Sequence, residues 1–176
     1  MTTQVSNPSK SETLRFGYSD TSLGIIAVAE SAHGVVALSI GNNRAKLLHD
    51  LQSAFPEAEI VLDQAGLAPT VAKATALVEG PHLRTDLKLD LRGSPLEIAV
   101  WNALQCVPAG ETRTYGAIAK SLPVAATAQD VGAACAANRI AIAVPCHRVV
   151  KSDGSISGYR WGVQRKRRLI NKEGVA

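Results

Sequence analysis

The chain has 176 residues, 46% of them apolar, and a formal net charge of +4, which suits one folded domain or two small ones. No apolar run reaches the roughly 18 residues of a membrane-spanning helix, and the polar stretch 1–12 lacks the apolar core of a signal peptide, so a cytoplasmic protein is expected. Three cysteines, Cys106, Cys135 and Cys146, make neither an even disulfide framework nor a close-spaced metal set.

Stretch 1–12 is rich in Ser, Thr, Asn and Lys and is expected to be a disordered lead-in. Short β-prone runs over 14–18, 24–29 and 35–40 are separated by Asp20-Thr21-Ser22 and His33-Gly34, the pattern of an antiparallel meander. Two helices follow. One over 43–54 places Leu47, Leu48 and Leu51 on one face; the other, over 67–79, aligns Val71, Ala74 and Val78 and stops at Gly80-Pro81. The alternation of Leu87, Leu89 and Leu91 with Lys88 and Asp90 predicts one further strand. Residues 13–92 thus read as a small α/β domain.

From residue 93 the pattern turns mainly helical. Ser94-Pro95-Leu96-Glu97 is a capping box with proline at the first helical position, continued by Leu96, Val100, Ala103, Leu104 and Val107 and ended by Pro108-Ala109-Gly110. Short helices over 115–122 and 127–137, joined by a turn containing Pro123, have the layout of a helix-turn-helix, which plain bundles also use. A last, very basic helix covers 163–172. Residues 1–91 carry 7 Lys/Arg against 10 Asp/Glu (net −3), whereas residues 92–176 carry 12 against 5 (net +7). A basic half points to an anionic partner, nucleic acid being the usual one, although a solvated basic face gives the same excess.

The segment most suggestive of chemistry is Pro145-Cys146-His147-Arg148-Val149-Val150, after the apolar run Ile140-Ala141-Ile142-Ala143-Val144. Pro145 cannot donate the next backbone hydrogen bond, so the chain turns where Cys146 sits, at an element end where reactive groups are commonly placed. A thiol with an ordinary pKa of roughly 8.5 needs a base, and His147 is the adjacent imidazole. Neighbours on a strand point to opposite faces, so contact between the two needs a turn here. A buried structural cysteine is the alternative. Cys106 and Cys135 are expected to be core residues of helices.

With Pro-Cys-His-Arg-Val placed after a helix-turn-helix, and Ser157-Gly158-Tyr159-Arg160-Trp161-Gly162 following it, the chain resembles the O6-alkylguanine-DNA alkyltransferases, particularly their bacterial Ada type. The likeness is strong over residues 94–173. It implies a ribonuclease H-like α/β domain over 13–92, followed by a mainly helical, winged-helix-like catalytic domain over 93–176. It also implies direct-reversal repair of double-stranded DNA by a monomer without cofactor or metal. Cys146 would take the alkyl group from O6-alkylguanine, with O4-alkylthymine as a further lesion of the same kind, and keep it, spending the protein.

By the same resemblance, His147 takes the thiol proton through a water and is oriented by Glu173, while Tyr115 assists the departing guanine. Asn138 ties the hinge before the active segment. Tyr159, Val149, Trp161 and Arg160 form the pocket for the extruded base, and Trp161 narrows it in favour of methyl adducts. Thr127, Ala128, Gln129, Asp130, Gly132 and Arg148 fall among the DNA contacts.

One departure stands out. Gln129 occupies the position where the family carries an arginine that fills the vacated base stack, and Asp130 stands where a small apolar residue is usual. Both changes lower positive charge near phosphates, so weakened duplex binding or flipping is expected. Asp130 also completes a capping box with Thr127. The departure keeps open a second reading, a thiol alkyl acceptor for single-stranded nucleic acid, a free base or a small alkylating metabolite. A non-catalytic lesion binder is disfavoured, because that class lacks the cysteine that Cys146 supplies.

Overall fold

The structure, a computed structural model, describes residues 12–174. All but one residue of the expected lead-in therefore lies outside the described residues. The exception, Glu12, opens a strand and is ion-paired with Arg92.

Strands β1 (Glu12–Thr21), β2 (Gly24–Ser31) and β3 (Gly34–Gly41) form the anticipated antiparallel meander, each running longer than its apolar run. Helix α1 (Arg44–Ala54) follows, capped by the Asn43 side chain, which accepts from the Lys46 amide. The chain then returns through β4 (Ala58–Leu62), which the sequence reading did not anticipate; it pairs parallel to β1 and completes the order β3-β2-β1-β4. Helix α2 (Ala68–Glu79) comes next. The strand expected over 87–91 is absent: Leu89 makes only an isolated bridge to Val35, and the segment otherwise runs extended without a ladder.

Strand alternation sends side chains to both faces of the sheet. Leu14, Phe16, Ala29, Val36 and Ala37 pack with Leu51 of α1 on one face. Ile26, Val28, Val35 and Leu38 join the larger core on the other, with Val71, Leu77 and Val78 of α2. That larger core runs without interruption into the second half of the chain, through Trp101, Leu104, Val131, Ile140, Val144 and Leu169.

The second half contains α3 (Pro95–Gln105), β5 (Arg113–Thr114), α4 (Tyr115–Ser121), α5 (Ala128–Ala137), a one-turn 3-10 helix (Cys146–Arg148), β6 (Val149–Val150) and α6 (Val163–Lys172). The capping boxes at Ser94 and Thr127 both form. Trp101 Nε1 donates to the Ala134 carbonyl at 2.8 Å and locks α3 against α5. The molecule is a mixed α/β structure with a small sheet and helices, and none of its described helices is long and apolar enough to cross a membrane.

Candidate active site

Three local devices bring the site together. The first is the tie between sheet and active segment: the Leu38 amide donates to the Arg139 carbonyl and the Ala141 amide to the Leu38 carbonyl, both at 2.9 Å. Beyond that tie the chain folds tightly on itself. Val144 bonds back to Ile140, and Ile142 takes φ +68°, a left-handed conformation that costs a β-branched residue on the order of 1–3 kcal/mol. Pro145 then starts the 3-10 turn that carries Cys146 and His147, so the turn expected at this point is present.

The second device is the two-residue parallel pairing of Arg113-Thr114 with Val149-Val150. It sets the start of α4 beside the end of the Cys146 turn. Thr114 caps α4, and Tyr115, its first residue, thereby faces the same cavity as the thiol.

Asn138, the C-cap of α5, is the third. Its Nδ2 lies 3.0 Å from the Val144 carbonyl and 3.3 Å from Cys146 Sγ, while Oδ1 accepts from the Ile140 amide at 2.9 Å. One buried amide therefore ends the helix, braces the strained loop and touches the sulfur.

Cys146 is only 4% exposed, and burial pushes its thiol pKa up; the Asn138 hydrogen bond and the nearby Lys166 and Arg160 charges offset part of that. His147 is fully buried with Nε2 2.7 Å from Glu173 Oε1. Burial pushes the Glu173 carboxyl up, but hydrogen bonds from His147 and Arg148 outweigh it and the net shift is downward, so the group is a carboxylate. A carboxylate only accepts, which assigns the proton to His147 Nε2 and leaves Nδ1 with the lone pair. Nδ1 is buried and has no protein partner among the described residues. Burial also lowers the His147 pKa, so the ring is neutral at neutral pH.

Arg148 requires a correction. Expected among the DNA contacts, it is only 8% exposed and donates to Glu173 from Nε and Nη2, to the Val107 carbonyl and to the Pro81 carbonyl. A guanidinium with its donors so engaged inside the molecule is not available to a phosphate. Its work is to hold Glu173.

A cavity of about 420 Å³ opens over the thiol, lined by Tyr115, Gly132, Cys135, Ala136, Cys146, Gly158, Tyr159 and Arg160. Trp161 does not line it; it packs edge-on against Tyr159 with ring centroids 5.2 Å apart. Val149 is fully buried, so only its backbone is open to a role there. Thr127, Ala128, Gln129 and Asp130 form the cap and first turn of α5, with Ala128, Gln129 and Asp130 on its exposed or half-buried side.

One polar group of the site, Lys166, escaped the sequence reading. Lys166 is 1% exposed, and its Nζ donates to Ser157 Oγ at 3.0 Å; Ser157 in turn hydrogen-bonds the Tyr115 hydroxyl. Burial lowers the Lys166 pKa, opposed by its proximity to Cys146 and Cys135. The signal was there: Lys166, Leu169 and Ile170 occupy one face of α6 at helical spacing, and a lysine on an apolar face needs an internal partner. The remaining cysteines divide. Cys135 packs against the core, as expected, and also lines the cavity, whereas Cys106 is exposed at the end of α3, where it caps rather than packs.

Comparison with known proteins agrees with this geometry. The model for the 6-O-methylguanine DNA methyltransferase DNA-binding domain matches residues 95–175. The inducible methylated-DNA–protein-cysteine methyltransferase of Bacillus subtilis is 34% identical over 147 residues, covering 83% of this chain and 82% of that protein. The chain belongs to the methylated-DNA–protein-cysteine methyltransferase family. Another member, the bifunctional transcriptional activator/DNA repair enzyme Ada of Escherichia coli, is 39% identical over 160 residues, 91% of this chain, which spans only 45% of the Ada sequence. Among solved structures, Mycobacterium tuberculosis OGT in complex with DNA superposes with a TM-score of 0.75 at 31% identity, covering 91% of this chain and 93% of that one. The family match covers the thiol cavity and the Cys146, His147 and Glu173 cluster, whereas the solved structure extends over the sheet half as well.

Proposed function

We propose that the chain repairs alkylated DNA by direct reversal, moving the alkyl group of O6-alkylguanine irreversibly onto Cys146. The observation that carries the reading is a buried thiol, at the floor of a base-sized cavity, next to an imidazole whose tautomer is fixed by a carboxylate. In the proposed reaction the thiol proton passes through a water to His147 Nδ1. Sulfur attacks the alkyl carbon, the carbon–O6 bond breaks, and guanine leaves with the electron pair. The Tyr115 hydroxyl, held by Ser157 and Lys166, donates to the departing base, since an anionic base leaves poorly. Glu173 stabilises the imidazolium formed, and Arg148 keeps Glu173 ionised and in place.

In this reading Tyr159, the Val149 backbone, Arg160 and Asn138 shape the base pocket, and Trp161 acts through Tyr159 to narrow it toward methyl adducts. Thr127, Ala128, Gln129, Asp130 and Gly132 on α5 face the double-stranded DNA, with binding weakened by Gln129 and Asp130. Residues 13–92 serve as a ribonuclease H-like scaffold and 93–176 as a winged-helix-like catalytic domain of a cytoplasmic monomer. DNA as partner is supported by the DNA complex of the Mycobacterium tuberculosis relative.

A titration tests this. Duplex DNA carrying O6-methylguanine is mixed in excess with protein, and the restored guanine is counted. The expected yield is one lesion per molecule, with no further turnover. Transfer from single-stranded DNA or free O6-methylguanine, with none from duplex, would favour the second reading instead.

A further inference from the structure

A second cavity, of about 410 Å³, lies between α1 and the 160–165 segment and is separate from the thiol cavity except for the shared Arg160. Its lining combines apolar Ala37, Ile40, Leu47, Leu51 and Phe55 with basic Lys46, Arg139, Arg160 and Arg165. The carboxylate on its lining, Asp50, is already engaged by Lys46 Nζ at 3.0 Å. None of the ion pairs among the described residues involves Arg139, Arg160 or Arg165.

Arg165 spends its donors on the Leu23 and Trp161 carbonyls and on Asn42 Oδ1, which fixes its charge without neutralising it. Arg139 is less satisfied: its guanidinium lies 5.5 Å from the Phe55 ring centroid, and its Nε is buried with no hydrogen-bond partner. Arg139 and Arg160 also repel each other, since after burial itself Arg139 is the next cause lowering the Arg160 pKa. The first turn of α1, which carries no acidic residue, opens on the same space at Asn43 and Lys46. Like charges held together, with the nearby carboxylate Asp50 already bonded to Lys46, and one orphaned buried donor mark a place for an anion.

We propose that this cavity binds a phosphate monoester joined to a flat apolar body, the chemistry of a mononucleotide. The phosphate sits against Arg139 and Arg160, and the planar body lies along Leu47 and Leu51 toward the first turn of α1. A phosphate monoester fits better than a carboxylate, because its nearly double charge answers more than one unpaired guanidinium and its oxygens accept from the planar fork of arginine in pairs. A cavity of this volume is in the range of small-ligand sites. The shared chemistry has two sources, a free nucleotide and the 5′-phosphorylated end of a DNA strand. This inference rests on the second cavity, which shares Arg160 with the thiol cavity, and does not require alkyl transfer by Cys146.

The test is a titration of the 15N-labelled wild-type protein with 2′-deoxyguanosine 5′-monophosphate, with deoxyguanosine and inorganic phosphate as controls and a 5′-phosphorylated lesion-free oligonucleotide as the second arm. Expected are saturable amide shifts at Gly41, Asn43, Lys46 and Gly162, with each control at least about ten-fold weaker, and a comparable loss in Arg139→Met and in the cavity-filling Ala54→Trp. Stronger binding of the oligonucleotide than of the mononucleotide assigns the site to strand ends, and the reverse assigns it to free nucleotide. Shifts confined to Gly132 and Gly158, absence of saturable shifts, or binding by phosphate or deoxyguanosine alone as tight as by the nucleotide would overturn the proposal. The wild-type shift map decides even where a variant fails to fold.

Discussion

Glu173 Oε1 lies 2.7 Å from His147 Nε2 with both side chains fully buried, and the same oxygen accepts from Arg148 Nη2 at 2.8 Å. One carboxylate thus fixes the tautomer of the base and neutralises a buried guanidinium. Removing its charge should harm both tasks. Glu173→Gln leaves Arg148 buried and unpaired, so stability should fall by about 3 kcal/mol in urea unfolding. The single-turnover transfer rate should drop by about a hundred-fold when measured below the new midpoint. A stable variant of undiminished rate contradicts this role.

The same pair sets the response to acid. Burial lowers the His147 pKa from 6.5, so below that pH the unfolded chain binds a proton that the folded chain refuses. The Glu173 carboxyl titrates below its ordinary 4.5, because its hydrogen bonds from His147 and Arg148 outweigh burial; its contribution is present above 4.5 and is lost as pH falls through the folded value. Stability should therefore decline as pH drops below about 6.5 and steepen under about 4.5. The rate of transfer should hold level from neutral pH down past 6.5, since His147 stays neutral. Urea midpoints and single-turnover rates across pH 4 to 8 check both; an acid limb centred above 7 would contradict a buried neutral base.

Much of this site was legible in the chain. Cys146, His147 and Glu173 were named from the motif and the resemblance; the structure pairs His147 with Glu173 in the interior, and of the three only Cys146 lines the cavity. Arg148 was misread because sequence shows a basic residue beside the candidate active segment but not that its donors turn inward to Glu173 and two carbonyls. Lys166 was hidden between Arg165 and Arg167 in a helix that reads as uniformly basic. In the fold, the meander and helices follow from period and caps. β4 was missed because its Val61 and Leu62 are 37% and 58% exposed, so it is held by backbone pairing to β1 rather than by a buried stripe. The alternation at Leu87, Leu89 and Leu91 misled for the converse reason: the leucines pack on the core, but only Leu89 finds a bridge.

Asp130 has opposed effects on folding and on binding. Its side chain accepts from the Thr127 amide at 2.8 Å and its own amide donates to Thr127 Oγ1 at 3.1 Å, so Asp130→Ala should cost about 1 kcal/mol of stability through loss of the reciprocal cap. The same change should tighten duplex binding by removing like charge near phosphates, and Gln129→Arg should tighten it further without the loss of stability. Dissociation constants at one fixed salt concentration, beside thermal midpoints, separate the two effects. Unchanged affinity in the double variant contradicts the proposed DNA-facing role of this turn.

Lys166 is a buried ammonium without a carboxylate partner among the described residues, so Lys166→Met should leave stability equal or higher by about 1 kcal/mol. Transfer should nevertheless slow, because the Ser157 and Tyr115 hydroxyls lose their donor. Tyr115→Phe should slow it by about a hundred-fold with little change in thermal midpoint. If Lys166→Met keeps the wild-type rate, Lys166 does not support the Tyr115 hydroxyl in catalysis.

In the proposed reaction Cys146, rather than the neighbouring Cys135 or the exposed Cys106, is the final home of the alkyl group. Intact-mass and peptide-mapped spectrometry after incubation with duplex DNA carrying O6-methylguanine measures this directly. A gain of about 14 Da confined to the Cys146 peptide and abolished by Cys146→Ala is the expected result, given that the thioether is the end product. No gain from duplex DNA, or a gain on Cys135 or Cys106 that survives Cys146→Ala, would contradict it.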